Sequence, residues 1–366
     1  MPVDGLITAD DQVAPALLAH YRRHARALPW RSPPGSPPPD PYRVWLSEIM
    51  LQQTTVAAVI PYYERFLARW PTVGALAGAD DAALMAAWAG LGYYARARNL
   101  LACARQVAGP LGGCFPTDEA GLRALPGIGA YTAAAVAAIA FGRRAVVVDG
   151  NVERVVARLF AVETPMPAAK PALRALADRI TPDADAGDFA QAMMDLGATI
   201  CTPRNPACLA CPLAAACAGR ATGEPERYPV KALRKARPER RGLAWWVERE
   251  GAVWLVRRPE RGLLGGMRGV PTGAWLEGGP DHAPPLPGDW SAVPGRVRHV
   301  FTHFALELDV MRLRVDRALS GAAIAKALGP GQWWPIDRLG DAGLPTLFAR
   351  VAALATGNAI REDDRR

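Results

Sequence analysis

Apolar residues recur at three- and four-residue spacing through most of the first 230 positions of this chain, and then the texture changes. Residues 11–28 predict an amphipathic helix. The stretch RSPPGSPPPDP at 31–41 carries too many prolines to be helical. From 42 to 230 the helical spacing persists, broken by Pro and Gly and rich in Ala, with no alternating strand pattern. Residues 222–241, TGEPERYPVKALRKARPERR, are charged, mostly basic and short of large apolar side chains, as expected of a linker. After Gly242 come runs rich in Val, Trp and Leu between Gly/Pro turns: LAWWVER, AVWLVRR, VRHVFTHFALELDVMRLRV and QWWPI. These predict strands, closed by a helix over 346–355. The expected organisation is an all-α domain over 1–221, a linker over 222–241, an α+β domain over 242–357 and a charged tail over 358–366.

Length and charge add two constraints. At 366 residues, half of them hydrophobic, the chain has material for two domains with real cores. Its formal net charge of +8 suits a polyanionic partner. The longest apolar run, Ala130 to Phe141, is too short to span a bilayer. The N-terminal stretch has acids where a secretion signal needs a basic segment and an apolar core. The expectation is a soluble, cytoplasmic monomer, without membrane contact.

Chemistry concentrates first in CTPRNPACLACPLAAAC, where Cys201, Cys208, Cys211 and Cys217 follow a C-x6-C-x2-C-x5-C spacing. Four thiolates this close make an S4 metal site for zinc or an iron–sulfur cluster. Disulfides fit poorly, since Cys208 and Cys211 are too close to pair comfortably and nothing marks the chain as secreted. Zinc sites favour two short Cys pairs and only one is present, which tilts the balance towards [4Fe–4S] without deciding it. Cys103 and Cys114 are expected to be buried free thiols.

A second cluster lies in LRALPGIGAYTAAAVAAIA at 122–140. A short helix ending at Pro126, a turn at Gly127-Ile128-Gly129 and a helix from about Tyr131 would leave backbone amides free to hold a phosphate. An ordinary helix corner is the plain alternative. Further on, Asp149 precedes a helix beginning near Asn151, where it would cap the helix and also present a carboxylate beside the turn. Upstream, in PYRVWLSEIMLQQT, a helix over 42–53 would put Glu48 on one face with Val44, Trp45, Leu51 and Gln52. A carboxyl on so apolar a face should be desolvated and hold its proton near neutral pH, as a general acid must. The alternative is a structural Glu paired with Arg22, Arg23 or Arg43.

The cysteine spacing resembles the cluster loop of the endonuclease III superfamily of DNA glycosylases, and LPGIG with an Asp about twenty residues on resembles its helix-hairpin-helix signature. PYRVWLSEIMLQQT, LGYYARARNL, LPGIGAYT, VDGNVERV and QAMMDLGATICTP, in that order, resemble the MutY-type adenine glycosylases from about Leu28 to Cys217. The resemblance implies an all-α helix-hairpin-helix glycosylase domain carrying a [4Fe–4S] cluster. Its substrate would be double-stranded DNA with adenine opposite 8-oxoguanine or guanine, at the nucleoid. It implies that Glu48 protonates adenine, that Asp149 stabilises the cationic sugar, and that Asn151 and Tyr131 orient them. Trp30 and Arg31 would lie beside the adenine pocket, Gln191 would hydrogen-bond the flipped base, and Gln53 and Tyr93 would fill the stack. Gly127 and Gly129 would grip the backbone.

Lyase members of the superfamily carry Lys where this chain has Tyr131, so the expected reaction is hydrolysis without strand cleavage. The C-terminal part resembles the Nudix-like domain of the same family, with LLGGMRGVP as its Gly-Gly loop and Phe301-Thr302-His303 on its lesion-reading strand. Thr302 stands where the family has Ser, and the Glu-rich metal motif of the Nudix hydrolases is missing. Two rival readings remain: a bifunctional endonuclease III-like enzyme, which would nick DNA unaided, and a non-catalytic iron–sulfur DNA-binding or redox protein, which would release no base.

Overall fold

A computed structural model of the chain describes residues 9–232, 237–259, 262–279, 283–301 and 303–357. It divides into two compact units, residues 1–233 and 234–366.

The first unit is helical. Its elements are α1 (Ala9–His24), α2 (Pro41–Leu51), α3 (Val56–Arg69), α4 (Val73–Ala77), α5 (Asp81–Trp88), α6 (Ala95–Ala108), α7 (Glu119–Arg123), α8 (Ala130–Phe141), α9 (Gly150–Leu159), α10 (Lys170–Ile180), α11 (Ala186–Thr199) and α12 (Ala218–Ala221). Helix α8 is apolar on every side, and Thr132 through Ala140 are all buried. Its alanines let α2, α7 and α11 pack closely around it. Trp45, Trp88, Tyr63 and Phe66 fill the surrounding core, each side chain of this size contributing about 1.5–3 kcal/mol on burial.

Several expected boundaries move. Helix α1 stops at His24 rather than 28, because the Arg26 amide and guanidinium both bind Asp195, which turns the chain towards Pro29. Asp40 caps α2, with Pro41 at its first position, and the helix ends at Leu51 rather than 53. Gln53 adopts a φ of 59°, which no helix continues through, so Gln52 does not share the helical face of Glu48. Residues 222–241 are largely claimed by the two units. Tyr228 is buried in the helical core and donates to Glu163, while the first strand begins at Glu239.

The second unit contains β1 (Glu239–Arg249), β2 (Ala252–Arg257), β3 (Arg268–Gly269), β4 (Ser291–Val300), β5 (Ala305–Arg314), α13 (Gly321–Leu328), β6 (Gly331–Pro335) and α14 (Thr346–Thr356). The sheet runs β3-β2-β1-β5-β4, with β6 also paired to β2; β1 and β5 are parallel and the other pairs antiparallel. Along β1, Ala244 and Trp246 enter one core with Phe348 and Val351 of α14, while Val247 enters another with Ile324 of α13. Strand β1 therefore reads as a continuous apolar run, since helices cover both faces. The run at 297–315, expected as strand, is broken by a turn: the Phe301 amide donates to the Phe304 carbonyl, and β4 and β5 pair on either side.

Candidate active site

Glu48 lies on α2 where that helix packs against α8, and only 5% of its surface is exposed. Burial pushes its carboxyl up from 4.5 to about 7. A hydrogen bond from Tyr131, in the first turn of α8, opposes the shift; the nearby Asp149 charge adds to it, and Arg31 opposes it weakly. Arg22, Arg23 and Arg43 are not the partners. Arg22 pairs with Asp185, and the charged groups facing Glu48 are Arg31 and Asp149. Burial and the carboxylates of Glu48 and Asp149 hold the Tyr131 phenol well above its ordinary value, so it remains a donor.

Asp149 is the N-cap of α9, in extended conformation, and accepts from the Val152 amide at 2.7 Å. Its other oxygen accepts from Asn151 Nδ2 at 3.1 Å. Asn151 is in turn fixed by Arg154, which donates to Asn151 Oδ1 at 2.9 Å and to the carbonyls of Gly197 and Cys201. The cap is thus compatible with a second role, because one carboxylate oxygen binds the helix and the other is oriented by a side chain.

Glu48, Tyr131, Asp149 and Asn151 line one cavity of about 610 Å³ together with Trp30, Arg31, Gln53 and Gln191. Arg31 is held by Asp195, which also binds Arg26, so a carboxylate between two guanidiniums fixes one wall. Trp30 packs edge-on to Tyr63 at 5.2 Å. Gln191 is buried; its Nε2 donates weakly to Gly187, while its Oε1 has no partner among the described residues. A buried acceptor without a donor costs about 1–3 kcal/mol, which a ligand with an N–H group would recover.

Gln53 and Tyr93 are exposed, Tyr93 to 64%, and both have positive φ, 59° and 47°. In the turn between α7 and α8, Gly127 has φ 75°, and a Cβ there would lie 2.7 Å from Asn99 Cβ. Gly129 is the extended N-cap of α8, with φ −87°, and does not need glycine's left-handed freedom. Its value lies in the open space where its Cβ would stand, with no side chain capping the helix.

The HhH-GPD superfamily of base excision DNA repair proteins matches residues 46–182, and the NUDIX domain family matches 243–354. The human adenine DNA glycosylase is 35% identical over 93% of this chain and 73% of its own length. The chain belongs to the adenine DNA glycosylase family. The adenine DNA glycosylase of Mycolicibacterium smegmatis is 43% identical over 57% of this chain and 70% of its own. The solved structure of a thermostable thymine-DNA glycosylase aligns with 58% of this chain and 97% of its own, at a TM-score of 0.52 and 29% identity. The two units are accordingly a helix-hairpin-helix glycosylase domain and a Nudix-like α+β domain.

Cys201, Cys208, Cys211 and Cys217 line one small pocket beyond the C-terminus of α11. Among the described residues, no three His, Cys, Asp or Glu converge where they could hold a single ion. Backbone amides donate to Cys211 and Cys217, and Arg158 Nη1 approaches Cys201 Sγ at 3.4 Å. Of the other cysteines, Cys103 is buried as expected, but Cys114 is exposed in the loop after α6.

In the second unit the Phe301 ring is half-buried, stacked on Trp275 at 5.7 Å and touching Phe304. His303 is exposed in the turn between β4 and β5, and Thr302 lies outside the described residues. Phe301 and His303 therefore lie between β4 and β5 rather than on a strand.

Sequence reasoning missed Asp195, Arg96, Arg154 and Arg158. Arg158 is 2% exposed and donates to the carbonyls of Tyr228, Thr202 and Pro203. The spacing of Arg154 and Arg158, one helical turn apart behind Asp149, carried the signal, since both must then project on one face of α9.

Among the described residues no helix is long and apolar enough to cross a membrane.

Proposed function

We propose that this chain is a monofunctional adenine DNA glycosylase. It takes an adenine opposite 8-oxoguanine or guanine out of a duplex and hydrolyses its N-glycosidic bond. The observation that carries the reading is the Glu48 carboxyl, pushed up to about 7 by burial and set beside Asp149 in a cavity large enough for a base. Adenine leaves poorly as an anion. Glu48 gives it a proton, the bond between C1′ and the base nitrogen breaks, and the electron pair departs on neutral adenine. The positive charge left on the sugar is met by Asp149, which Val152 and Asn151 hold in place. Water adds at C1′, and its released proton replaces the one that Glu48 gave. Two carboxyls with different environments thus divide acid and stabiliser between them.

Gln191 Oε1, unpartnered and buried, supports recognition of an amino group on the flipped base. The open N-terminus of α8 and the charge of +8 support a duplex partner gripped by its phosphates. Strand cleavage through a Schiff base finds no lysine here: among the described residues none lines the cavity, and the first in the chain, Lys170, pairs with Glu153. The four cysteines would hold a [4Fe–4S] cluster. Their placement around one pocket and the amide donors to sulfur fit such a cluster. Bound there, it would cross-link the loop after α11. His303 and Phe301 would contact the lesion.

The test is single-turnover base release from duplexes carrying adenine opposite 8-oxoguanine, guanine, cytosine or thymine, with strands analysed before and after alkali. Release from the first two, with strands intact until alkali, is expected. Spontaneous nicking, or release of an oxidised pyrimidine instead, would overturn the reading.

A further inference from the structure

Arg96, at the start of α6, is 9% exposed and has no carboxylate among its hydrogen-bond partners. One nitrogen, Nη1, donates to the carbonyls of Ile49, Met50 and Gln52, at the C-terminal end of α2. The other, Nη2, donates to Thr54 Oγ1 and to the carbonyls of Leu91 and Gly92. The guanidinium also lies 5.3 Å from the Trp88 ring and 5.6 Å from the Tyr93 ring. A buried cation is costly unless it is paired, and here the negative end of the α2 dipole and a shell of carbonyls take the place of a counter-ion.

The groups Arg96 holds flank two strained residues. Gln52 and Thr54 bracket Gln53, with φ 59°, and Leu91 and Gly92 precede Tyr93, with φ 47°. Left-handed backbone at a non-glycine residue is strained and persists only where its surroundings enforce it. Arg96 reaches both turns at once.

We infer that Arg96 is a positioning residue that locks the Gln53 turn and the Tyr93 turn into one rigid wedge, so that both side chains enter the duplex together as the base leaves. This rests on the reading of Gln53 and Tyr93 as the residues that fill the stack. Planar bidentate geometry is required, because Nη1 serves the end of α2 and the Gln53 turn while Nη2 bridges Thr54 to the Tyr93 turn, and the fork fixes the distance between them. Lysine keeps the charge but has one point of attachment. Glu48 and Asp149 do not touch Arg96 through any of these bonds, so the chemistry itself should be spared.

The experiment compares wild type, Arg96→Lys, Arg96→Met, Tyr93→Ala, Gln53→Ala and the double variant Arg96→Lys/Tyr93→Ala in the full chain. Base extrusion is read from a fluorescent purine neighbouring the target adenine, and single-turnover release is measured on a fully stacked duplex and on adenine in an unpaired bulge. Thermal melting establishes which variants fold, Arg96→Lys standing in should Arg96→Met not. Arg96→Lys should slow extrusion and release on the duplex at least tenfold, leave the bulge substrate within about twofold, and leave the alkaline limb of the rate profile unmoved. The double variant should be no worse than its poorer single, as expected of residues acting as one unit. Wild-type extrusion by Arg96→Lys beside a defective Tyr93→Ala would overturn the inference, as would equal losses on duplex and bulge or additive losses in the double variant. Normal extrusion by both Tyr93→Ala and Gln53→Ala would instead remove the wedge reading on which it rests.

Discussion

Tyr131 donates a hydrogen bond to Glu48 across the contact between α8 and α2, joining the two most completely buried helices of the glycosylase domain at one carboxyl. The bond pulls the Glu48 proton affinity down while burial and Asp149 raise it. The value near 7 is therefore a balance, and each contributor can be removed separately.

Removing the carboxyl should stabilise the protein in a pH-dependent way. The unfolded chain releases the Glu48 proton near 4.5, whereas the folded chain keeps it until about 7. Wild type thus loses stability as pH rises through that window, by about 3 kcal/mol when complete. Glu48→Gln escapes the loss. Its melting temperature should match wild type near pH 4.5 and exceed it increasingly up to pH 8, while base release is abolished and duplex binding retained. A constant difference across that range would contradict a buried, proton-holding Glu48.

Tyr131→Phe removes the one hydrogen bond that favours the Glu48 carboxylate, so the proton should be held to still higher pH. A general acid works only in its protonated form, and the rate falls as pH climbs through its titration. The alkaline limb of single-turnover release should therefore move upwards, by on the order of one pH unit. A downward shift would show that Tyr131 acts otherwise.

Gly197 sits against Asn151: a Cβ at 197 would lie 2.6 Å from Asn151 Cβ. The backbone of α11 cannot yield easily, since Arg154 binds the Gly197 carbonyl. Gly197→Ala should push Asn151 away from Asp149 and slow base release by roughly 10²-fold, the scale of a 1 Å misplacement, with duplex affinity nearly unchanged. Single-turnover rates and equilibrium binding on the same duplex separate the two effects.

Cys211→Ser should cost the cluster and the order of the loop after α11. The wild-type protein, purified without oxygen, should be brown, absorb at roughly 400 nm and carry iron, and the variant should lose colour, iron and duplex affinity together. Elemental analysis decides between this outcome and a zinc-loaded, colourless protein.

His303→Ala should reduce the preference for 8-oxoguanine over guanine by about 1–3 kcal/mol, one specific base contact, without altering the melting temperature, because His303 is exposed. Phe301→Ala is a poorer probe. Its ring packs on Trp275 and Phe304, so truncation should also destabilise the Nudix-like domain. Relative release rates at matched salt provide the measure.

What the sequence determined by itself is local. The cap by Asp149, the turn at Gly127, the start of α2 at Asp40-Pro41 and the four cysteines in one loop each depend on residues within a few positions of one another, so their chemistry shows in the order of letters. The switch from helical to strand texture after Gly242 belongs to the same class, because side-chain periodicity follows backbone geometry. What only the tertiary structure decided is which distant groups meet. Arg31, not Arg22 or Arg43, faces Glu48, because Asp195 on α11 draws it in. Arg96 joins two turns some forty residues apart, and Gln191 becomes an unpartnered acceptor only because α11 is buried against α8. The break of 297–315 into a hairpin follows from pairing between its own halves, which a run of one strand-like texture without Gly or Pro does not announce. Burial and proton affinity are properties of the surroundings, and those surroundings are assembled from segments that the linear order keeps apart.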